Sequence, residues 1–213
     1  MAAIKLVKKI IYTGTITLKT GLHIGGTNAA LNIGGPDDFV VRNPISNIPY
    51  IPGSSLKGKM RALVEIAKGI VGPDGKASND PNSCSGKLFG VATGKDNNRP
   101  SRLIVRDAEL DLSKPEMFDN TDLPYTESKT EVAIDRITAK AMPRTFERVP
   151  AGARFKLNMV LNIFEGEDEN ELKNILFLAL QLLEDDYLGG HGSRGYGQVE
   201  IKLDSIDGQI KTY

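Results

Sequence analysis

The sequence predicts an α+β fold with a ferredoxin-like (RRM-like) β-α-β-β-α-β core, and three observations lead there. Four segments carry β-branched or alternating apolar residues, two carry helical apolar spacing, and the six follow one another in the order of a split βαβ pair. A polar, turn-rich stretch at about 119–151 interrupts that order between the second and third strands and reads as a projecting hairpin. With 213 residues, 40% hydrophobic and 25% charged, the chain suits one domain over 1–213 with insertions at about 21–53, 69–100 and 119–151.

IIYTGTITLKT (10–20) is β-branched and alternating, a first strand, and a Gly- and Pro-rich loop fills 21–53. Ser54 or Ser55 is placed to cap a helix running to about residue 68, with Leu56, Met60, Leu63, Val64 and Ala67 along one face. The Gly/Asn/Asp/Ser-rich 69–100 segment predicts an exposed loop with a short turn near Leu88–Phe89. RLIVRDAEL (102–110) is a second strand, and ARFKLNMVLNIF (153–164) a third with Phe155, Leu157, Met159 and Leu161 on one face. Leu172, Ile175, Leu176, Ala179 and Leu183 mark a second helix with acids at its N-terminus, and GQVEIKLDSI (197–206) supplies the fourth strand.

One cysteine, Cys84, excludes a disulfide framework and a multi-cysteine zinc site. The start of the chain does not read as a signal peptide and no run reaches the ~20 apolar residues of a membrane span, so a cytoplasmic protein with no membrane partner is expected. Net charge is zero, but residues 1–61 hold eight Lys/Arg against Asp37 and Asp38 alone. That asymmetry predicts a basic face opposed by an acidic one.

Two glycine-punctuated basic segments carry the chemistry. In IPGSSLKGKMRAL (51–63), Lys57, Lys59 and Arg61 cluster at a helix start, where the dipole favours anions, so a bound phosphate relieves the conflict. Gly53-Ser-Ser-Leu-Lys-Gly58-Lys59 matches half of a P-loop, but Met60 replaces the magnesium-binding hydroxyl, which argues against a nucleotide enzyme. The second segment, YLGGHGSRGYGQVEI (187–201), has glycines at 189, 190, 192, 195 and 197, more than a tight turn needs. Gly189, Gly190, Gly192 and Gly195 let backbone lie against a ligand, while Ser193, Arg194 and Tyr196 offer a donor, a cation and a stacking plane. His23, in GLHIGG, is a hydrogen-bonding or structural histidine. Asp37 and Asp38 either hold a divalent cation against a phosphate or form a turn. Prolines at 143 and 150 resist regular sheet pairing in the hairpin, and Arg144 and Arg148 can meet phosphates or bases. No serine triad or HExxH is present.

GLHIGG (21–26), RNPISNIPYIPGSSLKGKMR (42–61), RDA (106–108), YTE (125–127) with IDRITA (134–139), and DYLGGHGSRGYG (186–197) together resemble the RAMP superfamily. More closely, they resemble the Csm-type backbone subunit of type III-A CRISPR effector complexes, over about residues 12–206. The resemblance implies copies of the chain stacked along a guide RNA in a filament with other effector subunits, each thumb-like hairpin wedging between guide and target RNA. It implies target cleavage at regular intervals by a loop aspartate that falls on Asp37 by its spacing from His23, with Asp38 beside it, and a loosely bound Mg or Mn ion. Guide contacts carry over to the Ser54–Arg61 region, with Ser54, Ser55, Lys57, Lys59 and Arg61, and to the Gly189–Gly197 loop; His23, Arg136 and Arg144 are further RNA-binding candidates. The hairpin departs from the family's E-N-x-I-D-R, reading Glu131-Val132-Ala133-Ile134-Asp135-Arg136. A guide-binding subunit that does not cut, and a precursor-processing endoribonuclease of the same superfamily, are the competing readings.

Overall fold

The computed structural model describes residues 5–26, 38–92 and 98–213. Strand β1 (Leu6–Leu18) lies at the centre of one antiparallel sheet. It pairs along its length with β7 (Arg154–Phe164); on its other edge, Gly14–Leu18 pair with β8 (Val199–Leu203). Strands β2 (Tyr50–Ile51), β3 (Leu103–Val105) and β4 (Ala108–Leu110) complete the far side through β7. The spatial order β4-β7-β1-β8 is the ferredoxin-like arrangement expected from the chain order. A strand not foreseen, β9 (Gln209–Thr212), extends the β8 edge by pairing with Lys8–Ile11.

Helices α1 (Gly53–Ala67) and α3 (Glu169–Asp185) pack on each other and on the sheet. Their predicted apolar faces supply the core: Leu56, Met60 and Val64 meet Leu172, Leu176, Ala179 and Leu183 in one cluster with Ile10, Tyr12, Phe155, Met159 and Leu161, while Leu63 packs at its edge and Ala67, expected on the same face, is exposed. Asp168 caps α3 by accepting from the Asn170 and Glu171 amides. At α1 the expected serine cap does not form. Pro52 is the N-cap residue, and the Gly53 amide donates to Asp107 Oδ1 at 2.8 Å. The helix end is thus satisfied, and its dipole met by negative charge, from the RDA segment across the sheet.

Segment 69–100 is not simply an exposed loop. Helix α2 (Cys84–Phe89) buries Leu88 and Phe89, and Glu65 of α1, itself buried, accepts from the Ser78 amide and the Ser85 hydroxyl and pairs with Arg61. The predicted second strand is broken into β3 and β4, which pair with β7 in registers one residue apart.

The 119–151 insertion forms a separate two-stranded ribbon, β5 (Glu127–Ile134) with β6 (Ala141–Arg148). Pro143 does not break it, but sits in β6 opposite Val132. A two-stranded ribbon has an unpaired edge on each strand, so a residue without an amide proton is tolerated. The distal part projects into solvent with Ile134 and Ile137 exposed, while Phe146, Glu147 and Val149 at its root are buried.

The expected basic face does not form as predicted. Five of the eight cations in 1–61 are paired within the fold: Lys8 with Glu169, Lys19 with Glu200, Arg42 with Glu147, Lys59 with Asp186, and Arg61 with Glu65. Four of those five acids lie at positions 147–200, and β1 and α1 pack against elements from that part of the chain. No helix among the described residues is long and apolar enough to cross a membrane.

Candidate RNA-cleavage site at the ribbon root

The GLHIGG segment leaves the end of β1 and turns beneath the ribbon. The Leu22 amide donates to Val149 O at 2.9 Å and the Val149 amide to Leu22 O at 2.8 Å. His23 is buried, 4% exposed, and its Nδ1 lies 2.6 Å from Glu147 O. A carbonyl oxygen only accepts, so Nδ1 carries the proton and Nε2 points the other way. Nε2 faces the Asp38 carboxylate at 3.5 Å.

Asp38 is held by the ribbon root: the Glu147 amide donates to Asp38 O at 3.0 Å, and Asp38 bridges Phe146 in parallel. Glu147 organises this junction. Its side chain is 1% exposed and accepts from the Val40 amide (2.8 Å), Arg42 Nη2 (2.5 Å) and Thr126 Oγ1 (2.6 Å). Arg42 is further fixed by the carbonyls of Asn47 and Pro124. The 38–42 segment is thereby bound to the ribbon root through a hydrogen-bonded charge inside the protein.

The second glycine loop closes the site from the opposite side. Gly190 donates its amide to His23 O at 2.8 Å. Gly189 has φ +77, and a Cβ there would lie 2.2 Å from His23 O; at Gly197, φ +74, it would lie 1.9 Å from Leu188 O. These two glycines therefore permit close approach of one protein backbone to another. Gly192–Arg194 form a 3-10 turn with Ser193 and Arg194 exposed, and Gly195, φ +86, has open space at its Cβ position.

The turn delivers His191 against His23 (ring centroids 5.5 Å apart) and Phe146 (4.5 Å). His23, Asp38 and His191 each offer a donor atom, all within 4.8 Å of one another. Sequence reading passed over His191, Glu147 and Arg42. The only local signal was that the second of two histidines lies inside the second glycine loop.

Tyr196 does not present a free stacking plane. It is 1% exposed, its ring is covered by Lys129 and Arg148, and its hydroxyl donates to Glu131 Oε1 at 2.8 Å. Burial, then the Glu131 carboxylate, push its phenol up to about 12. Tyr196 first, with Lys129 and Arg194 adding to it, holds the Glu131 carboxyl below the usual range. Glu131, where the family pattern places its E-N, thus ties the ribbon to the second glycine loop through Tyr196 and through Arg194 (3.1 Å).

The other predicted contacts are spread more widely. Ser54 is exposed and Ser55 partly so at the start of α1. Lys57 turns inward, donating to Ser101 Oγ (2.7 Å) and Leu103 O (2.8 Å), and desolvation followed by the nearby Arg61 charge lowers its pKa. Lys59 pairs with Asp186 at 2.8 Å and lies over the Tyr187 ring. Arg61 also donates to Ser78 O. Arg136 and Arg144 are exposed on the ribbon. Asp37 lies outside the described residues; its neighbour Asp38 is within them, at the site. A cleft of ≈ 580 Å³ lined by residues including Asn43, Tyr50, Asp107 and Lys156 contains none of His23, Asp38 and His191.

The class this defines is a ferredoxin-like module in which two glycine loops and the root of a projecting ribbon enclose one imidazole–carboxylate cluster. A family model described as the RAMP superfamily matches residues 15–200. The CRISPR system Cms endoribonuclease Csm3 of Methanocaldococcus jannaschii is 44% identical over 209 residues, covering 95% of this chain and 82% of that protein. The Enterococcus italicus protein of the same name is 44% identical over 203 residues, covering 93% and 92%. Among solved structures, one of a Csm3-Csm4 subcomplex in the type III-A CRISPR-Cas interference complex superposes with a TM-score of 0.60 at 34% identity, over 93% of this chain and 78% of that one. Csm3 of Methanopyrus kandleri superposes with a TM-score of 0.63 at 25% identity, over 92% and 76%. The chain belongs to the RAMP superfamily and, within it, to the Csm3 family.

Proposed function

We propose that this protein is a guide-RNA-binding backbone subunit of a type III-A CRISPR effector, assembling in repeated copies with other effector subunits and cutting target RNA paired to the guide. The observation that carries the reading is the placement of the Asp38 segment, with His23 and His191, at the root of the one ribbon that projects from the described sheet. An RNA strand splayed by that ribbon would pass over its root, where Asp38 lies. Kinship with proteins named as Csm3 endoribonucleases supports the activity.

RNA carries its own nucleophile, so the protein's task is geometric. Once the backbone is turned in line, the 2′-oxygen attacks phosphorus, the P–O5′ bond breaks, and a 2′,3′-cyclic phosphate and a 5′-hydroxyl result. The carboxylate of Asp37, the covalent neighbour of Asp38, takes the 2′-hydroxyl proton, and the departing 5′-oxygen takes a proton from solvent. Two imidazole nitrogens and a carboxylate within 4.8 Å form a donor set that fits a divalent ion, with His23, Asp38 and His191 holding it. Such an ion supplies charge stabilisation at the phosphate.

The test is cleavage of a guide-complementary RNA by reconstituted complexes carrying Asp37→Ala, Asp38→Ala or both, with Mg or Mn present. Asp37→Ala is expected to abolish the regular cleavage ladder while guide binding persists. Loss with Asp38→Ala alone transfers the role to that residue, and an undiminished ladder from the double variant removes both acids from the cutting step and overturns this site assignment.

A further inference from the structure

We propose that His23 Nε2, the Asp38 carboxylate and His191 form a site for a borderline transition-metal ion such as Zn or Co, in preference to Mg. This rests on the reading above of the cluster as a divalent-ion site, concerns which ion its donors bind most tightly, and is tested without RNA.

The first argument is the direction of the His23 ring. With Nδ1 donating to Glu147 O at 2.6 Å, the neutral imidazole turns its Nε2 lone pair toward the Asp38 carboxylate 3.5 Å away, so two acceptors face each other. A proton or a metal ion between them removes that conflict. The hydrogen bond from the remote ring nitrogen to a backbone carbonyl is the arrangement that orients metal-bound histidines and strengthens them as donors.

The second argument is the third donor, which a proton does not need. His191 brings another ring nitrogen within 4.8 Å of both partners. Donors about 2.1 Å from a tetrahedral ion lie roughly 3.4 Å apart, so the His23–Asp38 spacing already fits and a small swing of the half-exposed His191 completes the set. His191 has φ +60, a conformation that L side chains rarely adopt and that glycine accepts freely, in a loop otherwise rich in glycine.

The surroundings decide the kind of ion. Two nitrogens and one carboxylate suit Zn, Co or Ni, whereas Mg requires oxygen ligands and retains its waters. His23 is buried, but the Asp38 side chain is 51% exposed, so a fourth position is open to water or a phosphate oxygen, as in catalytic and not purely structural sites. Arg194 lies beside the site, its Nη1 3.5 Å from His191 Nδ1; it is paired with Glu131 at 3.1 Å, which offsets its repulsion.

The experiment is calorimetric titration of the purified chain, free of RNA, with Zn, Co and Mg, together with the visible absorption spectrum of the Co form. One Zn or Co is expected to bind per chain, at least about 100-fold more tightly than Mg. Asp38→Asn and His191→Gln should each weaken binding more than about tenfold, and His191→Gln should abolish the intense four-coordinate Co bands. Both changes lie at partly exposed positions, and unchanged melting confirms that each variant is folded. No Zn or Co binding by the parent chain, Mg binding as tight as Zn, or an undiminished spectrum in His191→Gln would each overturn the assignment. Cleavage by a chain that binds no Zn would sink this site and leave the proposed function standing; metal binding without cleavage would do the reverse.

Discussion

Replacing Glu147 with alanine tests whether the ribbon root is held by one buried charge. The carboxylate is 1% exposed and has three donors: the Val40 amide, the Arg42 guanidinium and the Thr126 hydroxyl. Its removal leaves the Val40 amide without that partner and Arg42, whose side chain is only 10% exposed, without a counter-ion. Breaking a buried ion pair from one side costs about 3–5 kcal/mol. In a chain of this length each kcal/mol moves the melting midpoint by about 2–4 °C, so Glu147→Ala should melt roughly 6–20 °C below the parent. Glu147→Gln keeps an acceptor for the Val40 amide and should lose less, about 1.5–3 kcal/mol. The assay is thermal melting followed by circular dichroism, with urea unfolding as a second measure. A Glu147→Ala midpoint within about 2 °C of the parent would refute the reasoning, because an unpaired buried guanidinium cannot be that cheap.

Two further predictions separate internal from external roles. Lys57 donates inward, so Lys57→Met should leave the salt dependence of guide-RNA binding unchanged, whereas a true phosphate contact would reduce the slope of log K against log salt by about one unit. The Leu103 carbonyl keeps Ser101 as donor in that variant, so the change in stability should stay within about 1 kcal/mol. The Tyr196–Glu131 latch should persist over a wide pH range. Glu131, held below the usual carboxylate range, contributes stability that is present at neutral pH and lost as acid titrates it; Tyr196, raised from 10.0 to about 12, contributes stability that is lost as pH rises past 10 toward 12. Spectrophotometric titration should show Tyr12 and Tyr196 ionising last, near 12, with Tyr196→Phe removing one of these two late components; an unchanged alkaline titration in that variant would count against the latch.

Taken by itself, the amino-acid sequence determined the elements and the kin. Apolar periodicity is written locally, so both long helices, the long strands and their buried faces follow from spacing: Leu172, Ile175, Leu176, Ala179 and Leu183 all lie in the core as expected. Ferredoxin-like topology followed from element order, and the ordered glycine and basic motifs pointed to the superfamily.

Tertiary structure alone decided who partners whom. Lys57 and Lys59 looked like free cations because their partners Ser101 and Asp186 lie elsewhere in the chain, whereas Arg61 pairs with Glu65 one helical turn on. Gly189 and Gly197 looked like ligand contacts because close approach of one backbone to another leaves no local trace in composition. Asp107 at the start of α1 and Glu147 beneath the ribbon are invisible for the same reason: each satisfies polar groups more than 50 residues away. The His23–Asp38–His191 cluster is the sharpest case, since its outer members are separated by 168 positions. Sheet pairing and the ribbon root bring them together, and burial gives each contact a strength that spacing along the chain cannot reveal.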